Sequence, residues 1–308
     1  MSNMGCKYCG SESVVKNGSV AGKQVYKCKD CGHRFYDNGK FSRMKTDKRT
    51  IVAALNLYYD GLSVRKAQKQ LETILGEKVT EVSIWNWLQK YSKLVGEYVQ
   101  TLAPQLSGKW HEDETMIKCE GRDQWFWEMI DEETRFLVAS HLSGERNIVE
   151  TIKVFRKAQA VAKQRPKAIF VDGSQTYDRA FNKVYYSRYK ANRVVLVKRV
   201  GIKARETNNI VERLHGTLKD RLKPMRGLKN VETAKALLEG YVVNYNYVRE
   251  HQSIGMTPAQ AAGVGVTGWK ELIEKATANQ AKPIEVKAYP IEQAKIEAQP
   301  IAQVVRAR

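Results

Sequence analysis

Two cysteine pairs, Cys6-Lys-Tyr-Cys9 and Cys28-Lys-Asp-Cys31, constrain the start of this chain more tightly than any other feature constrains the rest. Eighteen residues separate the pairs. Each Cys-x-x-Cys forms a tight knuckle with its thiolates pointing inward, so two knuckles complete a closed tetrahedral Zn²⁺ site. Disulfides would need an oxidising compartment, and the polar start MSNMGCKYCG lacks the apolar segment of a signal peptide. A four-thiolate site has no open coordination position, so the zinc is structural and the apo segment is expected to be largely unfolded. His33 is a spare, not a ligand. The sequence therefore predicts a zinc ribbon over residues 1–44.

Charge narrows the choice of partner. The 308 residues carry 52 Lys and Arg against 33 Asp and Glu, a formal net charge of +19, which points to a polyanion and first of all to nucleic acid. Even with four thiolates and Zn²⁺ counted, residues 1–50 remain near +5 from eleven basic and four acidic side chains; the ribbon is expected to contact DNA, with a protein contact as the alternative. Nowhere do about 18 apolar residues run consecutively, so no membrane span is expected, and the predicted location is cytoplasmic and DNA-associated.

Residues 45–100 read as short helices. Asp60 and Gly61 make a turn, Ser63 caps the next helix, and SIWNWLQKYSKLV puts Ile84, Trp87, Leu88 and Tyr91 at helical spacing. Ser83, Asn86, Gln89 and Lys90 are left on the other face, as in the second helix of a helix-turn-helix, so Asn86 and Lys90 are candidate DNA contacts. Trp85 and Trp87 are packing residues.

After Pro104 the period changes. KWHEDETMIKCEG, QWFWEMIDEET and RFLVASHLS read as three strands of a meander, followed by a helix over 147–163, the strand KAIFVDGS, a further helix and the strand RVVLVKR. Three antiparallel strands followed by alternating helix and strand predict an α/β, ribonuclease-H-like core with a mixed sheet, here over 101–268. Asp113 then lies in the first strand and Asp172 at the C-terminal end of the fourth, where open α/β sheets build their sites. Glu112 and Glu114, by strand alternation, point to the opposite face from Asp113 and are set aside as ligands. Asp131 and Asp178 are read as solvated structural residues, Cys119 as a core thiol.

The segment NNIVERLHGTLKDRLK, residues 208–223, reads as a helix. Ile210, Val211, Leu214, Leu218 and Leu222 form a core-facing stripe, while Glu212, Gly216, Lys219 and Lys223 form a second, polar one. Glu212 arrives from this helix as a third carboxylate. Three converging carboxylates raise one another's pKa unless a cation compensates. Two Mg²⁺ ions about 3.5 to 4 Å apart would do so and would clamp both oxygens of a phosphodiester exchange. Lys219 and Lys223 would hold the flanking phosphates, with Arg213 and Arg226 as further basic contacts, and His215 is read as packing or touching phosphate.

The motifs DET at 113–115, VDGS at 171–174, NNIVERLHGTLKDRLKPMRG at 208–227 and YNYVREHQSIGMTPAQAAG at 245–263 resemble those of DDE transposases from prokaryotic insertion sequences, closest to the subgroup named after insertion sequence six. Lys219 fills the position seven residues after the Glu that belongs to that pattern. Thirty-nine residues separate Asp172 from Glu212, slightly more than is usual in the subgroup. The resemblance implies a catalytic triad of Asp113, Asp172 and Glu212, cleavage dependent on Mg²⁺ (or Mn²⁺) that frees a 3′-hydroxyl, and joining of that hydroxyl to target DNA. It also implies terminal inverted repeats as the bound sequence and at least a dimer on DNA. The rival expectation is a non-catalytic zinc-ribbon DNA-binding regulator built on a retired core. Residues 269–308 are expected to hold one helix, WKELIEKATANQ, and then a low-complexity tail.

Overall fold

The computed structural model describes residues 5–20, 23–36, 41, 44–198, 209–225 and 228–280. Arg226, and the tail beyond residue 280, therefore lie outside the described residues.

At the N-terminus β1 (Val14–Val20), β2 (Lys23–Cys28) and β3 (Arg34–Tyr36) form an antiparallel sheet in that order. Its core is only Cys6, Cys28 and Phe35, packed by Tyr8 and Val14. So little apolar area cannot hold a fold of this size by itself.

Three helices follow: α1 (Lys48–Tyr59), α2 (Val64–Leu75) and α3 (Glu81–Val99). Their starts are set by side-chain caps, which satisfy otherwise unpaired N–H groups of the first turn. Asp47 accepts from Arg49 N, Ser63 from Lys66 N, and Thr80 from Ser83 N. Gly76, at φ 67°, ends α2 in the left-handed region that glycine adopts without penalty. The helix expected around Trp87 is α3, and it runs on to Val99 because Val95 and Gly96 are buried against later helices.

The larger sheet has five strands: β4 (Lys109–Cys119), β5 (Arg122–Asp131), β6 (Leu137–Ser143), β7 (Ala168–Val171) and β8 (Val195–Lys198). Their order is β6-β5-β4-β7-β8, with β4, β5 and β6 antiparallel and β7 and β8 parallel to β4. This is the mixed sheet expected of the ribonuclease-H-like layout. The β4–β5 turn sits at Glu120 and Gly121, at φ 54° and 73°, values that suit a tight two-residue hairpin.

Helices α4 (Ile148–Ala162) and α5 (Gln175–Tyr185) cover one face, where Tyr177 of α5 bonds Glu114 of β4. Helix α6 (Asn209–Leu222) covers the other, with His215 3.4 Å from Glu128 of β5. Helix α7 (Val231–Tyr247) runs along the outer strand β6, and Asn246 bonds both the N–H and the C=O of Leu137. Part of an open sheet edge is thereby satisfied. A short turn of helix, α8 (Pro258–Ala261), leads to α9 (Gly268–Gln280).

One continuous core runs from Phe41 to Ala276. It joins the N-terminal helices to the sheet layer through α7 and α9: Tyr59 of α1 stacks on Trp269 of α9 at 5.4 Å and bonds Ser92 of α3 at 2.7 Å. Trp269 in turn donates to Asn244 of α7. Among the described residues no helix is long and apolar enough to cross a membrane.

Gly240 is where α7 crosses this junction. A Cβ there would overlap the Tyr59 hydroxyl and Ser92 Oγ. Gly240→Ala is therefore expected to cost about 1–3 kcal/mol by overpacking, read as a lowered urea midpoint with unchanged m-value.

Candidate active site and cysteine centre

Asp113 lies midway along β4 and Asp172 directly after β7. These strands pair in parallel from Lys109↔Ala168 to His111↔Phe170, so the two aspartates come level. Asp113 accepts from Glu114 N at 2.9 Å and Asp172 from Ser174 N at 2.8 Å. Carboxylate oxygens of Asp113, Asp172 and Glu114 all lie within 4.8 Å of one another. A donor set made only of carboxylate oxygens suits a hard divalent cation such as Mg²⁺.

Glu114 corrects the reading from strand alternation. The Cβ atoms do alternate: Glu112 and Glu114 face α5, whereas Asp113 shares a face with its cross-strand partner Glu128. However, β7 ends at Val171, and among the described residues its pairing with β4 stops at His111. Carboxylates on side chains of two and three bonds' reach can still approach one another there, so alternation separates the Cβ atoms without separating the carboxylates.

Burial dominates the electrostatics, and repulsion between the acids adds to it. Burial, then the charges of Glu114 and Asp172, push the Asp113 carboxyl up to about 7, against the Glu114 N–H and Arg146, which favour its ionised form. Glu112 and Glu128 are fully buried with no hydrogen bond to their carboxyl oxygens. Burial raises both well above the usual carboxylate range, helped by Glu114 in one case and Asp113 in the other. The local counter-charge is Arg146, whose Nε pairs with Glu114 and whose Nη2 lies 3.1 Å from Asp172. Its guanidinium also lies over the Trp125 ring, 5.2 Å from the centroid. Arg146 sits just before the Asn147 cap of α4 and carries no motif that would single it out. Glu128 did leave a signal, as an acid within the apolar run WFWEMI.

Glu212 is exposed in the first turn of α6 and is not a member of the 4.8 Å group. Its helix is seated by Val211, Leu214, His215 and Leu218 on the Asp113 face, and Gly216, Lys219 and Lys223 are exposed as the polar stripe requires. Lys223 pairs with Asp220 at 3.1 Å, and Arg213 is exposed. Arg221, however, is buried on the apolar side, an outcome that helical periodicity did not foresee. On α3, Asn86 and Lys90 are exposed while Ile84, Trp87, Leu88 and Tyr91 are buried. Asp131 is structural but buried, not solvated: it accepts from Thr134, Glu133 and Ser107 at the β5–β6 turn. Asp178 pairs with Lys198, and Cys119 is a buried thiol.

The four N-terminal cysteines converge, each Sγ within 4.8 Å of the others. Cys6 and Cys31 are 3.6 Å apart and Cys9 and Cys28 3.5 Å, close to the ~3.8 Å edge of a tetrahedron with Zn–S bonds of about 2.3 Å and far from a disulfide at about 2.05 Å. Both knuckles use one device: Gly10 N bonds Cys6 O and Gly32 N bonds Cys28 O, with both glycines at positive φ. Burial and neighbouring thiols drive Cys9 up to about 12. For Cys28 burial also acts upward, but the N–H groups of Cys31 and Asp30 outweigh it and bring the thiol to about 7. Four thiols this close ionise together only with a cation among them. His33 stacks on Tyr8 and is not part of the group.

His215 generates a test. Burial, then Lys219, lower it to about 4. The unfolded chain, near 6.5, binds more protons between those values, so this contribution to stability is complete above pH 6.5 and is lost as pH falls toward 4. Relative to His215→Gln, the wild type should lose about 3 kcal/mol across that window, measured by urea unfolding at several pH values.

Residues 107–251 match the family model described as a DDE domain. An insertion element ISM1 protein of 48.3 kDa from Methanobrevibacter smithii is 26% identical over 145 residues, 41% of this chain. The chain spans only 35% of that relative's length. An uncharacterized protein of Methanocaldococcus jannaschii is 24% identical over 213 residues, covering 68% of this chain and 91% of the relative. Among solved structures, the HTLV-2 integrase catalytic core domain in complex with magnesium is similar over 52% of this chain and 98% of that one, at 16% identity and a TM-score of 0.39. The simian T-cell lymphotropic virus intasome is similar over 67% and 61%, at 15% identity and the same score. The fold assignment rests on the strand order, not on these structures. The segment that carries Asp113, Asp172 and Glu212 is thus similar to a DDE domain.

Proposed function

We propose that the chain is a DNA transposase of an insertion sequence, acting by metal-dependent phosphoryl transfer. The observation that carries this reading is the meeting of Asp113 and Asp172 at the centre of a mixed sheet, inside the segment that matches a DDE domain. Asp113 and Asp172 would hold the cations, with Glu212 as the third carboxylate. Glu114 already has Arg146 and Tyr177 as partners, whereas Glu212 is exposed on a helix seated on the Asp113 face. Bound there, two Mg²⁺ (or Mn²⁺) ions would supply the charge that clamps the attacking and leaving oxygens of a phosphodiester. Lys219 and Lys223, on the stripe of Glu212, would position the phosphates flanking the scissile bond. The product would be a 3′-hydroxyl joined to target DNA.

In this reading residues 1–44 are a zinc ribbon and residues 45–100 a helix-turn-helix segment. Together they recognise the terminal inverted repeats, with Asn86 and Lys90 on the presented face of α3. Holding two element ends calls for at least a dimer on DNA.

The test uses the full-length protein, a labelled duplex ending in the element's own terminal repeat and a target plasmid, with and without Mg²⁺. Strand-transfer products are expected with the wild type and not with Glu212→Gln, which should still bind the DNA. DNA bound by both proteins but never nicked or joined would make the chain a DNA-binding regulator on a retired scaffold. Activity that survives Glu212→Gln and is lost in Glu114→Gln would move the third ligand to Glu114.

Metal analysis of the purified protein should find a single structural zinc per chain. Cys9→Ser is expected to abolish it and to open residues 5–36 to protease, while the far-UV spectrum and main thermal transition of the remaining chain persist.

A further inference from the structure

Where the turn after α1 meets α6 and α7, the protein forms a half-open cavity of about 330 Å³ that no step above uses. Arg221 of α6 lines it and is only 4% exposed. Its Nε, Nη1 and Nη2 all lack a hydrogen-bond partner. The guanidinium stacks on the Tyr58 ring, 3.9 Å from the centroid, and Tyr58 and Asp60 favour its charged form, but two neighbours leave most of its five N–H groups without an acceptor. A buried cation in this state costs several kcal/mol unless something completes it. A second guanidinium, that of Arg249, lines the same cavity from an exposed position, and so does Tyr241, whose hydroxyl is buried and unpartnered. Two buried donors without hydrogen-bond acceptors and a second guanidinium thus face one space, with Asp60 as a nearby counter-charge.

We propose that this cavity is a phosphate-binding site. Arg221 donates paired N–H bonds to two phosphate oxygens, the fork geometry for which guanidinium is suited. Arg249 closes over a third oxygen from the rim, and the Tyr241 hydroxyl donates from α7. The volume exceeds that of a bare phosphate and falls at the small end of ligand pockets. Two carboxylates also line it, Asp220, which pairs with Lys223, and Asp60 in the turn after α1. Carboxylates beside a phosphate can accept only from a ligand that also brings hydrogens, as the hydroxyl or amino groups of an attached nucleoside do. The ligand is therefore a single nucleotide unit, free or at the end of a DNA strand. A phosphate held here would tie the N-terminal helices to α6, the helix of Glu212. The site does not depend on the transposase reading.

Calorimetric titration of the full-length, zinc-loaded protein in magnesium-free buffer at constant ionic strength tests this. The ligands are inorganic phosphate, a deoxynucleoside monophosphate, and one oligonucleotide carrying either a 5′-phosphate or a 5′-hydroxyl. Saturable binding of phosphate at one site is expected, weakened about tenfold or more in Arg249→Gln and weakened in Tyr241→Phe. Lys270→Gln, on the exposed side of α9 and outside the ribbon, controls for general positive charge and should leave binding unchanged. Because Arg249 is exposed, its substitution tests the site even if Arg221→Gln fails to fold. Tighter binding of the free monophosphate than of either oligonucleotide identifies a free nucleotide as the source. Preference for the 5′-phosphorylated strand identifies a DNA end. Absence of saturable phosphate binding, or equal weakening by Arg249→Gln and Lys270→Gln, overturns the site. Glu212→Gln should bind phosphate as the wild type does, so failure of strand transfer and failure of this site are separately visible.

Discussion

Burial of mutually repelling carboxylates at the centre of the larger sheet is the constraint to which the rest of the structure answers. Asp113, Glu114 and Asp172 meet within 4.8 Å, and Glu112 and Glu128 lie buried alongside on β4 and β5. In a low-dielectric interior such a group is tolerable only when it is partly protonated, paired or occupied by cations. The protein supplies one fixed counter-charge, Arg146, which reaches Glu114 and Asp172 but makes no ion pair with Asp113 among the described contacts. Arg146 therefore joins the two faces of the group, compensating Asp172 as well as Glu114 and leaving Asp113 the carboxylate without an ion pair among the described residues.

The covering helices divide along the two faces of the sheet. The α4–α5 face closes over Glu112 and Glu114 through Tyr177, and nothing there calls for solvent or substrate. On the other face α6 presents Glu212, Lys219 and Lys223 outward while seating Val211, Leu214 and Leu218 inward. The same helix buries Arg221 against Tyr58 of α1. Helix α6 consequently touches the sheet, the N-terminal helices and the solvent-facing basic stripe. A displacement of α6 would alter all three at once, since packed interfaces shift between discrete arrangements rather than deform continuously.

Much of this was legible in the sequence. The strand and helix order, the turn at Glu120 and Gly121, the Ser63 cap and the buried face of α3 all followed from local periodicity and turn chemistry, because each is decided by neighbours within a few residues. The cysteine cluster was legible for the same reason. The juxtaposition of Asp113 with Asp172 needed one non-local assumption, the parallel pairing of β4 with β7, which the strand order supplies. What periodicity could not show was which side chains meet between elements. Glu114 and Asp172 are bridged by Arg146, a contact that strand alternation does not register. Arg146 and Arg221 were equally invisible, since a basic residue before a helix cap or on a charged helix ordinarily lies in water, and only tertiary packing reveals otherwise. Asp131 was read as solvated because a turn aspartate usually is; here five hydrogen bonds make its burial affordable.

Glu112, Glu128 and Arg221 remain the least satisfied groups of the described chain, each buried with polar atoms lacking partners. A fold selected for stability alone would replace them, because an unpartnered buried polar group costs about 1–3 kcal/mol and a charged one more. Their positions are not scattered. Glu112 and Glu128 flank Asp113 along and across the sheet, where burial raises both well above the usual carboxylate range. Arg221 lies on α6, the helix packed on that same face. Unsatisfied groups concentrated around one sheet centre and one helix mark where stability has yielded to chemistry, and the apolar layers formed by α3, α7 and α9 carry the stability that those groups forgo.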